Sequence, residues 1–304
     1  MKKLQFSIKV DEKVNQHKMN VLKTLNESEF IRAFCNQNQV DFSFIEKYSG
    51  RFYDYLKVQK QCGACKGLNY CQQAMQGQRL ELYVDGGYLQ HKMVKCPYQK
   101  QKDLDYAHKK YFKRYDFDEK NFMINIMDES LLFGEDEDYQ SIVNEILLSL
   151  EEKKGIYLSG NVGVGKSYLA IGMCNYYSKL HQKTIAFVNV SRLMSDLKLY
   201  FDDEQMFTKL LTTIKKVDVL VLDDLGSEVI SNWSRDEILF PLLDYRMNHE
   251  KKTIFTSNYT MDILANKYQN NNKSAVDLIA VNRLIERIRT LSKEVYIKGA
   301  SRRK

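Results

Sequence analysis

The sequence lacks any uncharged apolar run long enough to cross a lipid bilayer. It also lacks a signal-peptide core, because Lys9 interrupts the apolar residues of the opening stretch MKKLQFSIKV. No internal repeat is visible along the chain. We therefore expect a cytoplasmic protein, in which thiols stay reduced and clustered cysteines indicate a metal site before disulfides.

Long stretches of one charge are scarce as well. The net charge is +7, but Lys and Arg are interleaved with Asp and Glu along most of the chain, as is typical of a mixed solvated surface. Only residues 302–304 are uniformly basic. With 304 residues, 44% of them hydrophobic and 28% charged, the chain can bury one large core and one smaller core, and extended disorder is not expected.

Four of the six cysteines fall within one short region. The stretch CGACKGLNYC places thiols on a glycine-rich turn, and LELYVDGGYLQHKMVKC alternates in a way that predicts a β-hairpin before the last cysteine. Four thiolates in this arrangement favour a closed structural Zn²⁺ site, with His91 as the alternative fourth ligand. A redox C-x-x-C pair is the other interpretation. The predicted zinc ligands are Cys62, Cys65, Cys71 and Cys96.

The rest of the chain divides by its hydrophobic pattern. Apolar residues follow helical spacing over about residues 1–60, and the charged segment 105–125 is interpreted as a linker. From residue 126 onward, short apolar segments alternate with helical ones, which predicts an α/β fold with a parallel sheet covered on both faces. Its five predicted strands are 155–160, 184–190, 217–224, 253–258 and 294–299.

The stretch GNVGVGKS fits the phosphate-binding pattern G-x-x-x-x-G-K-[ST], and it lies between a predicted strand and a predicted helix. Its glycines permit positive φ and bring backbone N–H groups around a phosphate, where the helix dipole also acts. We expect Lys166 to reach the β- and γ-phosphates and the Ser167 hydroxyl to coordinate Mg²⁺. The predicted nucleotide-binding residues are Gly160, Asn161, Val162, Gly163, Val164, Gly165, Lys166, Ser167 and Tyr168.

Polar residues follow two further strands and one helix. If VDVLVLDD lies beside the strand before the glycine loop, Asp223 reaches the Mg²⁺ and Asp224 polarises the attacking water. Asn258, at the end of TIFTSN, could contact the γ-phosphate, although asparagine at a strand end is also ordinary turn chemistry. Arg283 and Arg287 share one helix face, which fits either surface ion pairs or an arginine that reaches a neighbouring subunit's phosphate.

The chain resembles the DnaC/DnaI group of AAA+ ATPases, the bacterial replicative helicase loaders, in GIYLSGNVGVGKS, VLVLDDLGSE, SNWSRDEILFPLLDYRM, TIFTSN and NRLIERIRTLS. The likeness is strongest to the DnaI type of Gram-positive bacteria, whose zinc-bearing domain resembles CGACKGLNYC and KCPY. The resemblance implies a helicase-interaction domain at 1–104 with a zinc module at about 62–98, a linker at 105–125 and a P-loop AAA+ ATPase domain at 126–304.

The resemblance also implies a role for each site residue. Lys166 and Ser167 belong to Walker A, Asp223 and Asp224 to Walker B, and Asn258 is sensor 1. Many AAA+ proteins end Walker B in Asp-Glu, whereas this chain has Asp-Asp. The shorter side chain would hold the water less closely, so we expect ATP hydrolysis to be slow without a partner.

Three basic positions near the end of the chain complete the implied nucleotide site. Arg287 is implied as an arginine finger acting on a neighbouring subunit, with Arg283 supporting it. The sensor 2 role falls on Arg302 or on Arg303, in the stretch GASRRK, and we assign it to Arg302.

The implied function is ATP-dependent loading of the hexameric DnaB-family replicative helicase onto single-stranded DNA during replication initiation or restart. Replication initiation and restart proteins are further implied partners. ATP, Mg²⁺ and Zn²⁺ are the implied cofactors, and ATP is expected to promote homo-oligomers. Lys198 and Phe201 match the place where such loaders contact single-stranded DNA, and an ordinary amphipathic helix is the alternative. The alternative functions are an IstB-like transposition helper ATPase and a non-catalytic, nucleotide-gated adaptor for DNA or protein.

Overall fold

The computed structural model describes residues 12–269 and 275–302, and the chain divides after Leu104 into two units with separate cores. Within the described residues, no helix combines the length and the apolar character that a membrane span requires.

The first unit packs a β-hairpin and four helices around one core, and a fifth helix follows the hairpin. Gly86 and Gly87 have φ of 55° and 79°, the left-handed conformation that a tight hairpin turn needs, so the predicted hairpin is confirmed. Leu82 and Leu89 from the hairpin are buried with helical residues such as Phe52. The elements are α1 (Glu12–Glu27), α2 (Glu29–Asn38), α3 (Phe42–Lys47), α4 (Ser49–Gly63), β1 (Gln78–Asp85), β2 (Tyr88–Lys95) and α5 (Pro97–Asp105).

The structure does not support the predicted zinc site in this unit. Within the described residues, no group of three or more His, Cys, Asp or Glu side chains is placed to hold a metal ion. Burial and the neighbouring thiols raise the pKa of Cys62, whereas backbone N–H groups of Gly77 and Gln73 lower the pKa of Cys71. Cys65 Sγ donates to the Gly67 carbonyl (3.3 Å), and His91 Nδ1 lies 3.0 Å from Arg51 Nη2. None of the four predicted ligands forms a disulfide: Cys62, Cys65, Cys71 and Cys96.

The second unit is built on a six-stranded parallel sheet in the order β3-β5-β6-β7-β4-β8. The five predicted strands are present. The predicted number of strands was too small by one, because β3 was not predicted. The strands are β3 (Phe112–Tyr115), β4 (Gly155–Gly160), β5 (Ile185–Asn189), β6 (Val219–Asp223), β7 (Lys252–Ser257) and β8 (Ser292–Ile297).

Helices cover both faces of this sheet, as the nearly continuous apolar strands require. Alternate strand residues point to opposite faces, so Leu158 and Phe187 enter one core whereas Tyr157 and Val188 enter the other. The helices are α6 (Glu137–Ser149), α7 (Lys166–Leu180), α8 (Val190–Leu199), α9 (Glu204–Lys216), α10 (Phe240–Asn248), which follows a π-helical segment at Trp233–Leu239, α11 (Met261–Gln269) and α12 (Ala275–Leu291).

The segment 105–125, predicted as a linker, is part of the second unit. It contributes β3, and Phe122 is fully buried among other aromatic rings. One buried side chain on α7 fixes it: Asn175 Nδ2 donates to the carbonyls of Asn121 and Ile124, both at 2.9 Å. Asn175 Oδ1 also lies 3.3 Å from a ring nitrogen of His108. Charged residues suggested a linker because the segment's surface is polar, whereas its aromatic residues pack inward.

We predict that Asn175→Ala lowers the free energy of unfolding by about 2 to 4 kcal/mol, because one buried and one partly buried carbonyl lose their donor. Chemical denaturation measures the change. Asn144→Ala, at an exposed helical position of the same unit, is the control and should change it by less than about 0.5 kcal/mol. Equal effects of the two substitutions would show that Asn175 does not anchor the segment.

Candidate nucleotide-binding site

The glycine loop joins β4, which lies between β7 and the edge strand β8, to α7. Gly163 and Gly165 have φ of 88° and 101°, which side chains other than glycine rarely adopt. A Cβ on Gly163 would also come within 2.2 Å of Ser301 Oγ. The loop is therefore a backbone cradle that continues directly into the first turn of α7, where helix N–H groups favour an anion.

Lys166 points its cation into the middle of this loop. The residue is only 7% exposed, and its Nζ donates to the carbonyls of Gly160 (2.7 Å) and Asn161 (2.8 Å). It also donates to Asn258 Oδ1 at 2.8 Å. A lysine held by oxygen atoms in a phosphate-binding loop is placed to exchange them for phosphate oxygens.

The strand β6 carries Asp223 to the same place, but not as a neighbour of β4. The role predicted for Asp223 was conditional on adjacent strands, whereas β7 lies between β6 and β4. Asp223 Oδ1 nevertheless accepts from Ser167 Oγ (2.7 Å), and it also accepts from Thr256 Oγ1 on β7 (2.7 Å). The inserted strand therefore supplies a second hydroxyl to the carboxylate.

Burial raises the pKa of Asp223, while the hydroxyls of Ser167 and Thr256 oppose the shift and the charge of Asp224 adds to it. A cation beside this carboxylate would favour its ionised form. Hydroxyl and carboxylate oxygens are the donors that Mg²⁺ prefers, so Ser167 and Asp223 fit this ion.

Asn258 connects Lys166 with the second aspartate. Its Oδ1 accepts from the lysine, and its Nδ2 donates to Asp224 Oδ1 at 3.1 Å. Asp224 has φ of 59°, an uncommon conformation for a residue other than glycine that turns the chain sharply after β6. The structure thus brings together the five polar residues that the sequence selected from three separate segments.

A cavity of about 720 Å³ opens over these side chains. Val162 and Tyr168 line it, whereas Val164 is fully buried in the core. Asn189, at the end of β5, lines the cavity and hydrogen-bonds to Asp223. Asn189 and Thr256 were both missed by the sequence analysis, although each stands at or near the end of a predicted strand, where the other site residues were found.

Arg302 lines the cavity from the C-terminal segment. Its guanidinium donates to Glu135 (2.7 and 3.0 Å) and stacks on Tyr139, 3.7 Å from the ring centre. Its backbone N–H donates to the Gly163 carbonyl at 2.8 Å. Arg302 therefore forms one wall of the cavity beside the glycine loop. Glu135 and Tyr139 line the same wall and were not predicted from the sequence. Arg303 lies outside the described residues.

Arg283 and Arg287 on α12 do not line this cavity. Arg287 Nε donates to Asp244 at 2.8 Å, and the Arg283 guanidinium lies 4.3 Å from the ring centre of Phe240. In this chain the two arginines thus contact α10 and not the nucleotide site.

Lys198 and Phe201 lie at the end of α8 and just beyond it. Phe201 is 57% exposed, and its ring meets the Trp233 ring edge to face with centres 5.2 Å apart. Lys198 Nζ lies 5.8 Å from the centre of the same tryptophan ring. The three side chains form one partly exposed aromatic and basic patch, of which the chain's single tryptophan was not predicted to be a member.

Residues 130–304, more than half of the chain, match the model of the IstB-like ATP binding protein family. The chain belongs to this family. It is 28% identical over 298 residues to the replicative helicase loader DnaI of Bacillus subtilis, with 96% of this chain and 93% of that protein covered. The replicative helicase loader DnaC of Escherichia coli is 30% identical over 105 residues, which are 34% of this chain and 42% of that protein.

Two solved structures share the fold. A crystal structure of DnaI has 31% identity and a TM-score of 0.54, and covers 62% of this chain and 98% of its own. A putative primosome component from Streptococcus pyogenes has 28% identity and a TM-score of 0.51, and covers 65% of this chain and 98% of its own. The predicted resemblance to helicase loaders and the predicted AAA+ P-loop fold are thereby confirmed.

We predict that Lys166→Ala abolishes measurable ATP binding, because the loop loses the cation that faces the phosphates. Equilibrium titration with a fluorescent ATP analogue measures it. Lys179→Ala, exposed on the same helix, is the matched control and should bind normally. Normal ATP affinity in Lys166→Ala would mean that the loop does not bind the phosphates.

Proposed function

We propose that this member of the IstB-like family is an ATP-dependent loader that binds the hexameric replicative helicase and places it on single-stranded DNA. The convergence of Lys166, Ser167, Asp223 and Asn258 on one cavity is the observation that carries the ATP-dependent part. Similarity to DnaI over nearly the whole chain, including the first unit, supports the loader part.

In this proposal, ATP acts mainly as an assembly switch. The γ-phosphate would order the contacts between subunits, and hydrolysis would release them. Asp224 is one methylene shorter than glutamate, so it would hold the attacking water less closely and hydrolysis would be slow until a partner binds.

Arg287 is the residue that we assign to a neighbouring subunit's nucleotide. Its side chain is about a quarter exposed on α12, and it forms an ion pair with Asp244 on α10. Arg287 does not line the cavity of its own chain. In this proposal it therefore contacts the γ-phosphate of a nucleotide that an adjacent subunit binds.

We predict that Arg287→Ala retains ATP affinity but loses ATP-dependent self-assembly and most of its turnover, by about 10³-fold or more if the arginine acts as a finger. Sedimentation with ATP and phosphate release measure the two effects. Arg289→Ala, two residues along the same helix and paired with Asp262, is the control. Normal turnover in Arg287→Ala would exclude the assigned role.

Single-stranded DNA is the proposed ligand of the patch formed by Lys198, Phe201 and Trp233. A lysine meets phosphates and aromatic faces stack on bases with little sequence preference. The patch lies on the unit that also binds the nucleotide, so ATP-driven assembly would align several patches along one strand.

A transposition helper is the second candidate, because the matched family model is named for IstB-like proteins. That model begins at residue 130, whereas the match to DnaI extends through the first unit. A transposition helper would act with a transposase on duplex DNA, which distinguishes it from a loader.

We predict that the full-length protein co-purifies with the replicative helicase of the same cell and that ATP strengthens the complex. Affinity purification with and without ATP measures this, with Lys166→Ala as the variant that should lose the ATP effect alone. Recovery of a transposase in place of the helicase would favour the second candidate.

A further inference from the structure

Thr256 contacts three successive residues at the point where the chain leaves β6. Its hydroxyl donates to Asp223 Oδ1 (2.7 Å) and accepts from the backbone N–H of Asp224 (2.9 Å). Its carbonyl accepts from the backbone N–H of Leu225 at 2.8 Å. The side chain is 1% exposed and lines the cavity, so this threonine lies beside both Walker B aspartates without being exposed to bulk solvent.

The direction of these hydrogen bonds is fixed by chemistry. A backbone N–H can only donate, so the Thr256 hydroxyl accepts from Asp224 and has its single proton left for Asp223. The Ser167 hydroxyl approaches the same oxygen of Asp223 from α7. Two hydroxyl donors on one buried oxygen orient the carboxylate and favour its ionised form.

The same hydroxyl stabilises an uncommon backbone conformation. Asp224 has a positive φ, and its N–H is satisfied by Thr256. That conformation directs the Asp224 carboxylate to Asn258 Nδ2. Without the hydroxyl, a partly buried N–H would lose its acceptor at the residue that we expect to polarise water.

We infer that Thr256 is a positioning residue for metal-dependent nucleotide hydrolysis: it orients Asp223 toward Mg²⁺ and keeps Asp224 turned toward Asn258. This inference rests on the proposed binding of Mg·ATP in the cavity. A threonine that only stabilises the sheet would affect protein stability and leave the metal dependence unchanged.

Three substitutions separate these accounts. Thr256→Val removes the hydroxyl at nearly constant volume, and Thr256→Ser retains it. Thr253→Val is the matched control, because Thr253 lies on the same strand, is fully buried, and accepts from Arg246 Nε (2.9 Å) without lining the cavity.

We predict that Mn²⁺ binding to the complex of the full-length protein with a non-hydrolysable ATP analogue weakens about 10- to 100-fold in Thr256→Val, as for other side chains that orient metal ligands. Electron paramagnetic resonance of free Mn²⁺ measures this affinity. Metal-free ATP affinity should change less than about threefold, and the turnover of Thr256→Ser should stay within about threefold of the unsubstituted protein. Thr253→Val should bind Mn²⁺ normally even where it is less stable.

Normal Mn²⁺ affinity in Thr256→Val would overturn the inference, and so would equal weakening in Thr253→Val. Thr256→Ala repeats the measurement if the valine variant does not fold. If the unsubstituted protein bound neither ATP nor Mn²⁺·ATP, the proposed function would fail and the inference with it. Normal binding by the unsubstituted protein with an unaffected Thr256→Val would defeat the inference alone.

Discussion

One carboxylate oxygen holds the candidate site together. Asp223 Oδ1 accepts hydrogen bonds from Ser167 on α7 and from Thr256 on β7, so the ends of one helix and two strands meet at a single atom. A buried carboxylate is costly unless hydrogen bonds satisfy it. The two expected metal ligands, Ser167 and Asp223, therefore lie within hydrogen-bonding distance of each other. Rigid helices and strands hold them there, and such elements preorganise a site.

A second set of contacts links this carboxylate to the phosphate-binding loop. Asn258 joins Lys166 to Asp224: its amide oxygen accepts from the lysine, and its amide nitrogen donates to Asp224, the residue expected to position water. Phosphate oxygens would compete for the lysine and free one side of the amide. In the proposed switch, subunit assembly begins when phosphate oxygens replace Asn258 as the partner of Lys166. Arg287 of a neighbouring subunit would then contact the bound nucleotide.

Local sequence patterns predicted much of this architecture. They did not predict the features that depend on contacts between distant residues. Alternating apolar segments located β4 to β8, and the glycine loop located the phosphate site, because both are properties of contiguous residues. The position of β7 between β4 and β6, and with it the role of Thr256, depends on strand order, which spacing does not encode. Asn175 likewise fixes residues more than 50 positions away. The cysteines share a region of the sequence, but within the described residues no group of three or more His, Cys, Asp or Glu side chains is placed to hold the predicted zinc ion.

The most direct measurement is a crystal structure of the protein with Mg²⁺ and a non-hydrolysable ATP analogue. The account predicts the β- and γ-phosphates against Lys166 and the loop N–H groups. It places Mg²⁺ about 2.1 Å from Ser167 Oγ, with the Asp223 carboxylate directed at the metal or at its bound water. A nucleotide bound elsewhere, or an Asp223 side chain turned away from the metal, would contradict it.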